Sequence, residues 1–277
     1  MRFAYYPGCS LEGSAKEYDE SLRAVMGLVG IELVEIKDWN CCGASAVHGV
    51  TPFLRVLLPA RDLLEAESMG LDIIAPCAAC FLRLKEAKRT LKERSSFKDK
   101  VEKVLDKAFR GEVEVYHPLE VLSRKEVRSR LEDKAIRPLE GVKAVCYYGC
   151  YLVRPKGLTG IDDLENPTVM ETILEVVGVE VLDWSFKVDC CGGSHSLLRP
   201  ELVRELSGKL GERARQAGAD LIVTACPLCQ SNLEIYQGPK GVPVLYFTEI
   251  LGVAMGAEGA SKWLKRHLIK PPEGLWG

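Results

Sequence analysis

The sequence contains no apolar run of roughly 18 or more residues, the length typical of a membrane-spanning helix. It also has no excess of basic charge, since 37 Lys and Arg residues are balanced by 39 Asp and Glu residues, for a formal net charge of −2. We therefore expect neither a membrane span nor a nucleic-acid partner, which would usually require a basic surface. The opening residues show no charged stretch followed by an apolar core, so we expect no secretory signal and a cytoplasmic location.

Fingerprints of the common redox cofactors are also missing. The sequence has no glycine-rich dinucleotide motif for a nicotinamide or a flavin, and no closely spaced cysteine run of the ferredoxin type. Electrons for any redox reaction must therefore come from another protein.

Cysteine, in contrast, is abundant, with 11 residues in a chain of 277. In a reducing compartment, cysteines in such numbers are typical of metal ligands or redox groups rather than of structural disulfides. The remaining composition is that of a globular protein, because 47% apolar residues can fill a core and 27% charged residues can cover it.

Ten of the cysteines form two sets with the same order: one cysteine, a long gap, Cys-Cys-Gly, and then Cys-x-x-Cys. The first set is Cys9, Cys41, Cys42, Cys77 and Cys80, and the second is Cys150, Cys190, Cys191, Cys226 and Cys229. In both sets 34 residues separate the Cys-Cys pair from the Cys-x-x-Cys motif. The chain is therefore an internal duplication, and we expect an N-terminal domain over 1–135 and a C-terminal domain over 136–277.

Short apolar segments alternate with amphipathic helical segments in both halves, which predicts an α/β fold with a small parallel sheet flanked by helices in each. We expect the halves to be related by pseudo-two-fold symmetry. The predicted strands are Phe3–Tyr6, Glu32–Ile36, Ile73–Pro76 and Val113–Tyr116 in the first half, and Lys143–Tyr148, Val179–Leu182, Leu221–Thr224 and Val242–Tyr246 in the second.

Every cysteine of the two sets follows the carboxyl end of a predicted strand. Because parallel sheets bind ligands outside these ends, each set should converge at one edge of its sheet. Thiolates select zinc, copper(I) or iron–sulfur clusters. Five converging thiolates exceed the four used by a zinc site or by an ordinary cubane cluster, although zinc in one half or a disulfide within each Cys-Cys pair stays open. Cys146 belongs to neither set and is predicted to be buried in a strand.

The stretches Tyr5–Ser10, Asn40–Gly43, Asp189–Gly192 and Ala225–Leu233 resemble the cysteine-rich CCG domain, and two tandem copies resemble the B-type subunit of heterodisulfide reductase. The resemblance implies two noncubane [4Fe-4S] clusters, each held by one five-cysteine set. It implies reduction of a disulfide, such as the coenzyme M–coenzyme B heterodisulfide of methanogenesis, between the two clusters. It further implies a cubane iron–sulfur subunit of the C type as electron donor and a flavin-containing subunit of the A type behind it.

A few other polar residues are candidates for roles in such a reaction. His48 and His195 follow the two Cys-Cys-Gly motifs and could protonate the products, although a lone histidine at such a place is more often a packing or capping residue. Arg154, Lys156 and Arg199 surround the second set and could bind the anionic groups of a disulfide substrate, although solvated surface charge is the simpler interpretation.

Two functional hypotheses therefore remain. The first is a disulfide reductase in which both cysteine sets border one cleft. The second is an electron-relay protein within a related complex, of the sulfur-oxidation or 2-hydroxy-acid-oxidation type, with clusters but without a disulfide substrate of its own.

Overall fold

A computed structural model describes residues 1–44, 47, 49–238 and 241–276. Two four-stranded sheets form its centre, and every strand pair in them is parallel. The first sheet has the order β2-β1-β3-β4 and the second has the matching order β6-β5-β7-β8. The strands are β1 Arg2–Tyr5, β2 Glu32–Glu35, β3 Ile73–Ile74, β4 Val115–Tyr116, β5 Lys143–Tyr147, β6 Glu180–Val181, β7 Leu221–Thr224 and β8 Val244–Tyr246.

Helices connect the strands and flank both sheets. In the first half these are α1 Gly8–Glu12, α2 Lys16–Leu28, α3 Pro52–Met69, α4 Ala78–Glu93, α5 Ser95–Leu105, α6 Pro118–Leu122 and α7 Lys125–Lys134. In the second half these are α8 Cys150–Val153, α9 Val169–Glu175, α10 Pro200–Gln216, α11 Pro227–Tyr236, α12 Phe247–Ala254 and α13 Ala260–Leu264. Short 3₁₀ turns occupy Gly193–Ser196 and Glu273–Leu275. The predicted duplicated α/β fold is confirmed.

The central strands are buried on both faces, which explains their uninterrupted apolar sequences. In β5, four of the five residues are buried, and Cys146 is fully enclosed, as its position in a predicted strand indicated. Helix α3 ends at Gly70, which adopts a left-handed conformation with φ 65° and donates its N–H to the last turn. Glycine accepts this conformation without steric cost, so the chain can turn directly into β3.

The two halves pack closely across an approximate two-fold axis. Helix α12 of the second half packs against α2 of the first, where the ring of Tyr18 stacks on Tyr246 with centroids 4.2 Å apart. Beside this stack, the hydroxyl oxygens of Ser21 and Thr248 lie 2.7 Å apart in a buried hydrogen bond. Helix α4 packs against α8 elsewhere in the interface. The proposed boundary between residues 135 and 136 falls between α7 and β5 and stays a prediction.

The C-terminal segment is fixed by a buried charged cluster. His267 lies between Glu234 on α11 and Glu249 on α12, with Nδ1 3.2 Å from the first carboxylate and Nε2 3.0 Å from the second. Burial alone would lower the pKa of His267, but the two carboxylates outweigh burial and raise its pKa to about 10. Glu234 also accepts the backbone N–H of Leu268 at 2.9 Å, so the cluster joins the chain end to two core helices. None of the helices described here is long and apolar enough to cross a membrane.

Replacing His267 should weaken the fold and alter its pH dependence. Because the pKa of His267 is higher in the folded than in the unfolded state, its contribution is complete below about pH 6.5 and is lost as pH rises toward 10. H267Q leaves two carboxylates buried without a cation, so we expect a loss of about 3–5 kcal/mol near neutral pH. Urea unfolding between pH 6 and 10 measures this loss.

The exposed histidine His195 supplies the control for this experiment, since H195Q should leave the free energy of unfolding nearly unchanged. If the unfolding free energy of H267Q kept the pH dependence of the parent protein across this range, the assignment of a charged His267 would be wrong.

Candidate functional site

The cysteines of both sets lie at the carboxyl ends of the parallel strands. Cys9 is on the short helix α1 that follows β1, and Cys150 begins α8 after β5. Cys77 and Cys226 are the N-terminal caps of α4 and α11, each two to three residues past a strand end. The geometry of a parallel sheet therefore brings residues that are distant in sequence to one edge.

In the first set, four of the five sulfurs form two contacting pairs. The Sγ atoms of Cys9 and Cys41 lie 3.8 Å apart, and those of Cys42 and Cys80 lie 3.3 Å apart. Cys77 is close enough to Cys80 to raise the pKa of its thiol, so all five cysteines lie in one neighbourhood.

The second set repeats most of this arrangement. The Sγ atoms of Cys191 and Cys229 lie 3.6 Å apart, and Cys229 hydrogen-bonds with Cys226. Cys150 and Cys190, the counterparts of Cys9 and Cys41, act on each other so that the pKa of Cys150 is raised and that of Cys190 is lowered.

The two sets approach each other at Cys77 and Cys226, where each thiol acts on the pKa of the other: the pKa of Cys77 is raised and that of Cys226 is lowered. Both of these cysteines are buried, whereas Cys41 and Cys190 in the Cys-Cys turns are exposed. The two sets therefore approach each other at buried cysteines, and each set also has an exposed cysteine in its own half. Whether a single cleft serves both sets stays a prediction.

Hydrogen bonding between neighbouring thiols lowers the pKa of one cysteine and raises the pKa of the other, which favours the thiolate form at particular cysteines. Hydrogen bonding with Cys42, and then with Cys9, lowers the pKa of Cys41 to about 2, while the pKa of Cys42 is raised to about 12. In the second set, hydrogen bonding with Cys150 is the largest cause that lowers the pKa of Cys190 to about 6. Because the thiolate is the form that ligates soft metals, each set presents a ligand ready to bind near neutral pH.

Two tyrosines position the Cys-Cys turns, and the sequence alone did not reveal this role. Tyr6 donates its hydroxyl hydrogen to the carbonyl of Asn40 at 2.7 Å, and Tyr147 donates to the carbonyl of Asp189 at 2.6 Å. Asn40 and Asp189 each immediately precede a Cys-Cys pair. The sequence carried one signal that could have indicated this role: both tyrosines stand three residues before the first cysteine of their set.

The second copy replaces Pro7 of the first copy with Tyr148, a difference that leaves the ligands untouched. Tyr148 is buried and donates its hydroxyl hydrogen to the carboxylate of Glu171, which is also 2.9 Å from the ammonium group of Lys187. The backbone N–H groups of Tyr148 and Gly149 donate to the carbonyl of Lys187, so a polar network fixes the start of α8.

Backbone and amide N–H groups point at several sulfurs. Gly43 donates to Cys41 Sγ at 3.4 Å, and Gly192 donates to Cys190 Sγ at 3.3 Å. Asn232 on α11 reaches Cys191 Sγ at 3.6 Å. Such donors stabilise sulfur-bound negative charge and adjust the reduction potential of iron–sulfur centres.

Two glycines leave space that the sulfurs fill. A Cβ atom added to Gly149 would lie 2.8 Å from Cys229 Sγ, and one added to Gly8 would lie 3.1 Å from Cys80 Sγ. Both glycines have φ 68°, a conformation that L-amino acids rarely adopt. The close approach of backbone to sulfur in both halves, together with the five-thiol donor sets, fits a cluster held by each set.

A single-ion site is not preformed in the described part of the chain. There, no three His, Cys, Asp or Glu side chains are arranged around one ion position. A structural zinc site requires four ligands at one centre, and whether one half binds zinc stays a prediction.

Two of the polar candidates from the sequence act on the second set. The charges of His195 and Arg154 both help to lower the pKa of Cys190, which places them near its thiol. Arg154 pairs with Glu165 at 3.2 Å. Arg199 pairs with Glu201 at 2.7 Å, and both Arg199 and Lys156 are exposed. His48 lies outside the described residues.

Comparison with family models matches the cysteine-rich domain twice, at residues 3–85 and 144–234. The chain belongs to this family. Each matched segment contains one complete five-cysteine set, so the duplication inferred from the cysteine spacing and the family assignment agree.

Three curated proteins are similar to this member of the cysteine-rich domain family. The "8-methylmenaquinol:fumarate reductase membrane anchor subunit" of Wolinella succinogenes is 33% identical over 96% of both chains. The B-type subunit of the ferredoxin/F(420)H(2)-dependent CoB-CoM heterodisulfide reductase of Methanosarcina acetivorans is 26% identical over 99% of this chain and 96% of its own. The "Glycolate oxidase iron-sulfur subunit" of Escherichia coli is 26% identical over 82% of this chain and 52% of its own.

A solved structure shares the fold. The crystal structure of a hypothetical protein from Helicobacter pylori aligns with a TM-score of 0.70 at 13% identity, covering 98% of this chain and 52% of the other. At this identity the similarity supports the architecture of the two halves and nothing about their chemistry.

Adding a methyl group at Gly149 should disrupt the second cysteine set. In G149A the new Cβ would collide with Cys229 Sγ, and the backbone strain of a non-glycine residue at φ 68°, ψ −179° adds about 1–3 kcal/mol. We expect G149A to retain less metal in the second set than the parent protein, measured as metal per chain after anaerobic purification.

Gly157 provides a matched control, because its φ is 71° but a Cβ there would meet no atom within 4 Å. G157A should keep its full metal content. Equal metal content in G149A and G157A would show that close packing of backbone against Cys229 is unimportant for binding.

Proposed function

We propose that this protein reduces a disulfide to two thiols, using two noncubane [4Fe-4S] clusters, one held by each five-cysteine set. The observation that carries the proposal is that the residues preceding Cys77 and Cys226 are held close together, since the Tyr18 hydroxyl lies 3.3 Å from the carbonyl oxygens of both Pro76 and Ala225. The full-length similarity to a protein named as the B-type subunit of a heterodisulfide reductase supports the same interpretation.

The separate roles of the clusters and of the cysteines follow from the chemistry of a disulfide. Cleaving one S–S bond consumes two electrons and two protons, and the clusters, when bound, would each supply one electron. The two cysteine sets would hold these sources of electrons near each other, so that one bound disulfide would be within reach of both. The exposed thiols at Cys41 and Cys190 mark the side from which a substrate would enter.

The remaining polar residues would bind and protonate the substrate. Arg154, Lys156 and Arg199 are exposed near the second set and would pair with the anionic groups of a disulfide substrate. His195, whose charge acts on Cys190, would protonate a departing thiolate on that side, and His48 is proposed for the same role in the first half.

Relatives named as subunits suggest that this chain also works in a larger complex. We propose a cubane iron–sulfur subunit of the C type as direct electron donor and a flavin-containing subunit of the A type behind it, because the sequence carries no flavin, nicotinamide or ferredoxin motif of its own. A reducing, cytoplasmic setting suits the many free thiols.

One observation favours a second function. The relative at 33% identity is named as part of a fumarate reductase rather than of a disulfide reductase. In that case the two cysteine sets would relay electrons to a partner protein, and no disulfide would bind.

Single cysteine replacements should show that each half holds its own cluster. We expect about eight iron and eight sulfide per chain in the anaerobically purified protein, from two four-iron clusters. C42S and C191S should each lose about half of the iron, because they belong to separate sets, whereas C146S should lose none because Cys146 is buried away from both.

Iron, sulfide and zinc analysis of the four proteins measures this outcome. Complete loss of iron from either C42S or C191S would show that the sets share one centre. One zinc per chain with half the iron would restore the zinc alternative for one half.

A thiol-release assay separates the two functions. Protein reduced with dithionite and desalted under argon should convert a disulfide, such as the coenzyme M–coenzyme B heterodisulfide or a lipoyl disulfide, to two thiols per two electrons stored. The C42S/C191S double variant, reduced in the same way, is the control. Full oxidation of the reduced protein by an artificial acceptor, without thiol release from either disulfide, would favour the relay function.

A further inference from the structure

Two backbone carbonyls, one from each half, lie close together at the residues that precede Cys77 and Cys226. Pro76 immediately precedes Cys77, and Ala225 immediately precedes Cys226. The hydroxyl group of Tyr18 is 3.3 Å from both carbonyl oxygens. Nε2 of His117 is 2.9 Å from the Pro76 oxygen and 3.3 Å from the Ala225 oxygen. Two side chains of the first half thus bridge one carbonyl from each half.

The hydrogen-bond pattern of His117 defines its role in this bridge. Its Nδ1 accepts the backbone N–H of Leu119 at 3.2 Å, so the ring hydrogen is on Nε2, where it is donated to the carbonyls. Burial lowers the pKa of His117 to about 4, although both carbonyls act in the opposite direction, so the ring is neutral near pH 7. Two donors, Nε2–H and the Tyr18 hydroxyl, therefore serve two acceptors.

Rigid packing holds both donors in place. Tyr18 and His117 are fully buried, and the Tyr18 ring stacks on Tyr246 with an angle of 6° between the ring planes. The His117 ring lies edge-on against Phe81, with centroids 5.8 Å apart. A buried carbonyl that loses its partner carries an uncompensated desolvation cost, so neither half can move away from the bridge freely.

This bridge is asymmetric, although the chain is duplicated. His117 caps α6 in the first half, and Tyr246 precedes α12 at the corresponding place in the second. Of these two residues, His117 donates to the carbonyls, while Tyr246 packs beneath Tyr18. The bridge is therefore a feature of the joint between the halves and not part of either copy of the cysteine motif.

We propose that Tyr18 and His117 are positioning residues that set the separation of the two cysteine sets. Each carbonyl they hold is one residue from Cys77 or Cys226, so a shift of either carbonyl moves the adjoining sulfur. The inference rests on the proposed function only in assigning a metal cluster to each set. The positions of the two thiols can be tested without any metal.

Three substitutions separate positioning from ordinary stability. Y18F removes only the bridging hydroxyl and keeps the stacked ring. H117N keeps an N-cap acceptor for α6 but has no ring nitrogen to reach the carbonyls. Y246F is the matched control, because it removes a hydroxyl from the same stacked pair without touching the bridge.

The first readout uses the metal-free full chain, in which mild oxidation with diamide should join Cys77 to Cys226. Mass spectrometry of the digested protein quantifies this cross-link against cross-links within each set. We expect the rate of the Cys77–Cys226 cross-link to fall several-fold in Y18F and further in Y18F/H117N, with Y246F at the parent rate. Parent-like cross-linking in the Y18F/H117N double variant would overturn the proposal, whatever its stability.

The second readout uses the anaerobically purified, iron-loaded protein. Two nearby paramagnetic clusters broaden each other's electron paramagnetic resonance signals after partial reduction. This broadening should decrease in Y18F/H117N while iron per chain is retained, because no cysteine is changed. Unchanged broadening at full iron content would contradict a positioning role. If the purified parent protein contained no iron, the proposed function would be refuted. The cross-linking result would then be the only test of the positioning role.

Discussion

The contact on which this architecture depends is the meeting of two parallel-sheet edges at the residues that precede Cys77 and Cys226. A single small sheet can gather five cysteines at its carboxyl edge, but it leaves the last strand carbonyls without ladder partners. Placing two such edges together creates an enclosed space in which those carbonyls need donors. Tyr18 and His117 supply them, from a helix and a cap that both lie in the first half. The same packing that satisfies the backbone thereby brings the two cysteine sets into contact.

Burying so many thiols is itself a constraint on the surrounding protein. A thiolate in an apolar interior is unfavourable unless donors or cations compensate its charge. Here the buried Cys191 receives the backbone N–H of Gly193 at 3.4 Å and the side-chain amide of Asn232 at 3.6 Å. The cationic groups that act on Cys190, His195 and Arg154, stand at the solvent side. The charges that act on the exposed Cys190 are therefore cationic, which favours the thiolate form at the solvent side of the second set.

The strands, the duplication and the position of both cysteine sets at strand ends could be predicted from the sequence, whereas the contacts between the two halves could not. Apolar segments alternating with amphipathic helices specify parallel strands, and the cysteine spacing places both sets at strand ends, because these signals are local. The roles of Tyr6 and Tyr147 were hidden because their acceptors are backbone carbonyls, which carry no side-chain signature. The hydrogen bonds between the two halves could not be predicted for another reason. The Tyr18 hydrogen bond to Ala225 spans 207 positions, and no sequence pattern within either half encodes the orientation of the other.

The duplication explains both what the two halves share and where they must differ. Residues away from the axis can be copied, so the Cys-Cys turns, the tyrosines and the close-packed glycines occur twice with nearly equal geometry. A residue on the axis cannot have an equivalent residue from the other half beside it, because the two side chains would occupy the same space. Two histidines at the positions of His117 and Tyr246 would both compete for the Pro76 and Ala225 carbonyls, which already accept from Tyr18. The stacking of Tyr246 on Tyr18 resolves this competition, because the second copy contributes a ring to pack rather than another donor. Asymmetry at the joint is thus a physical consequence of placing two identical edges in contact.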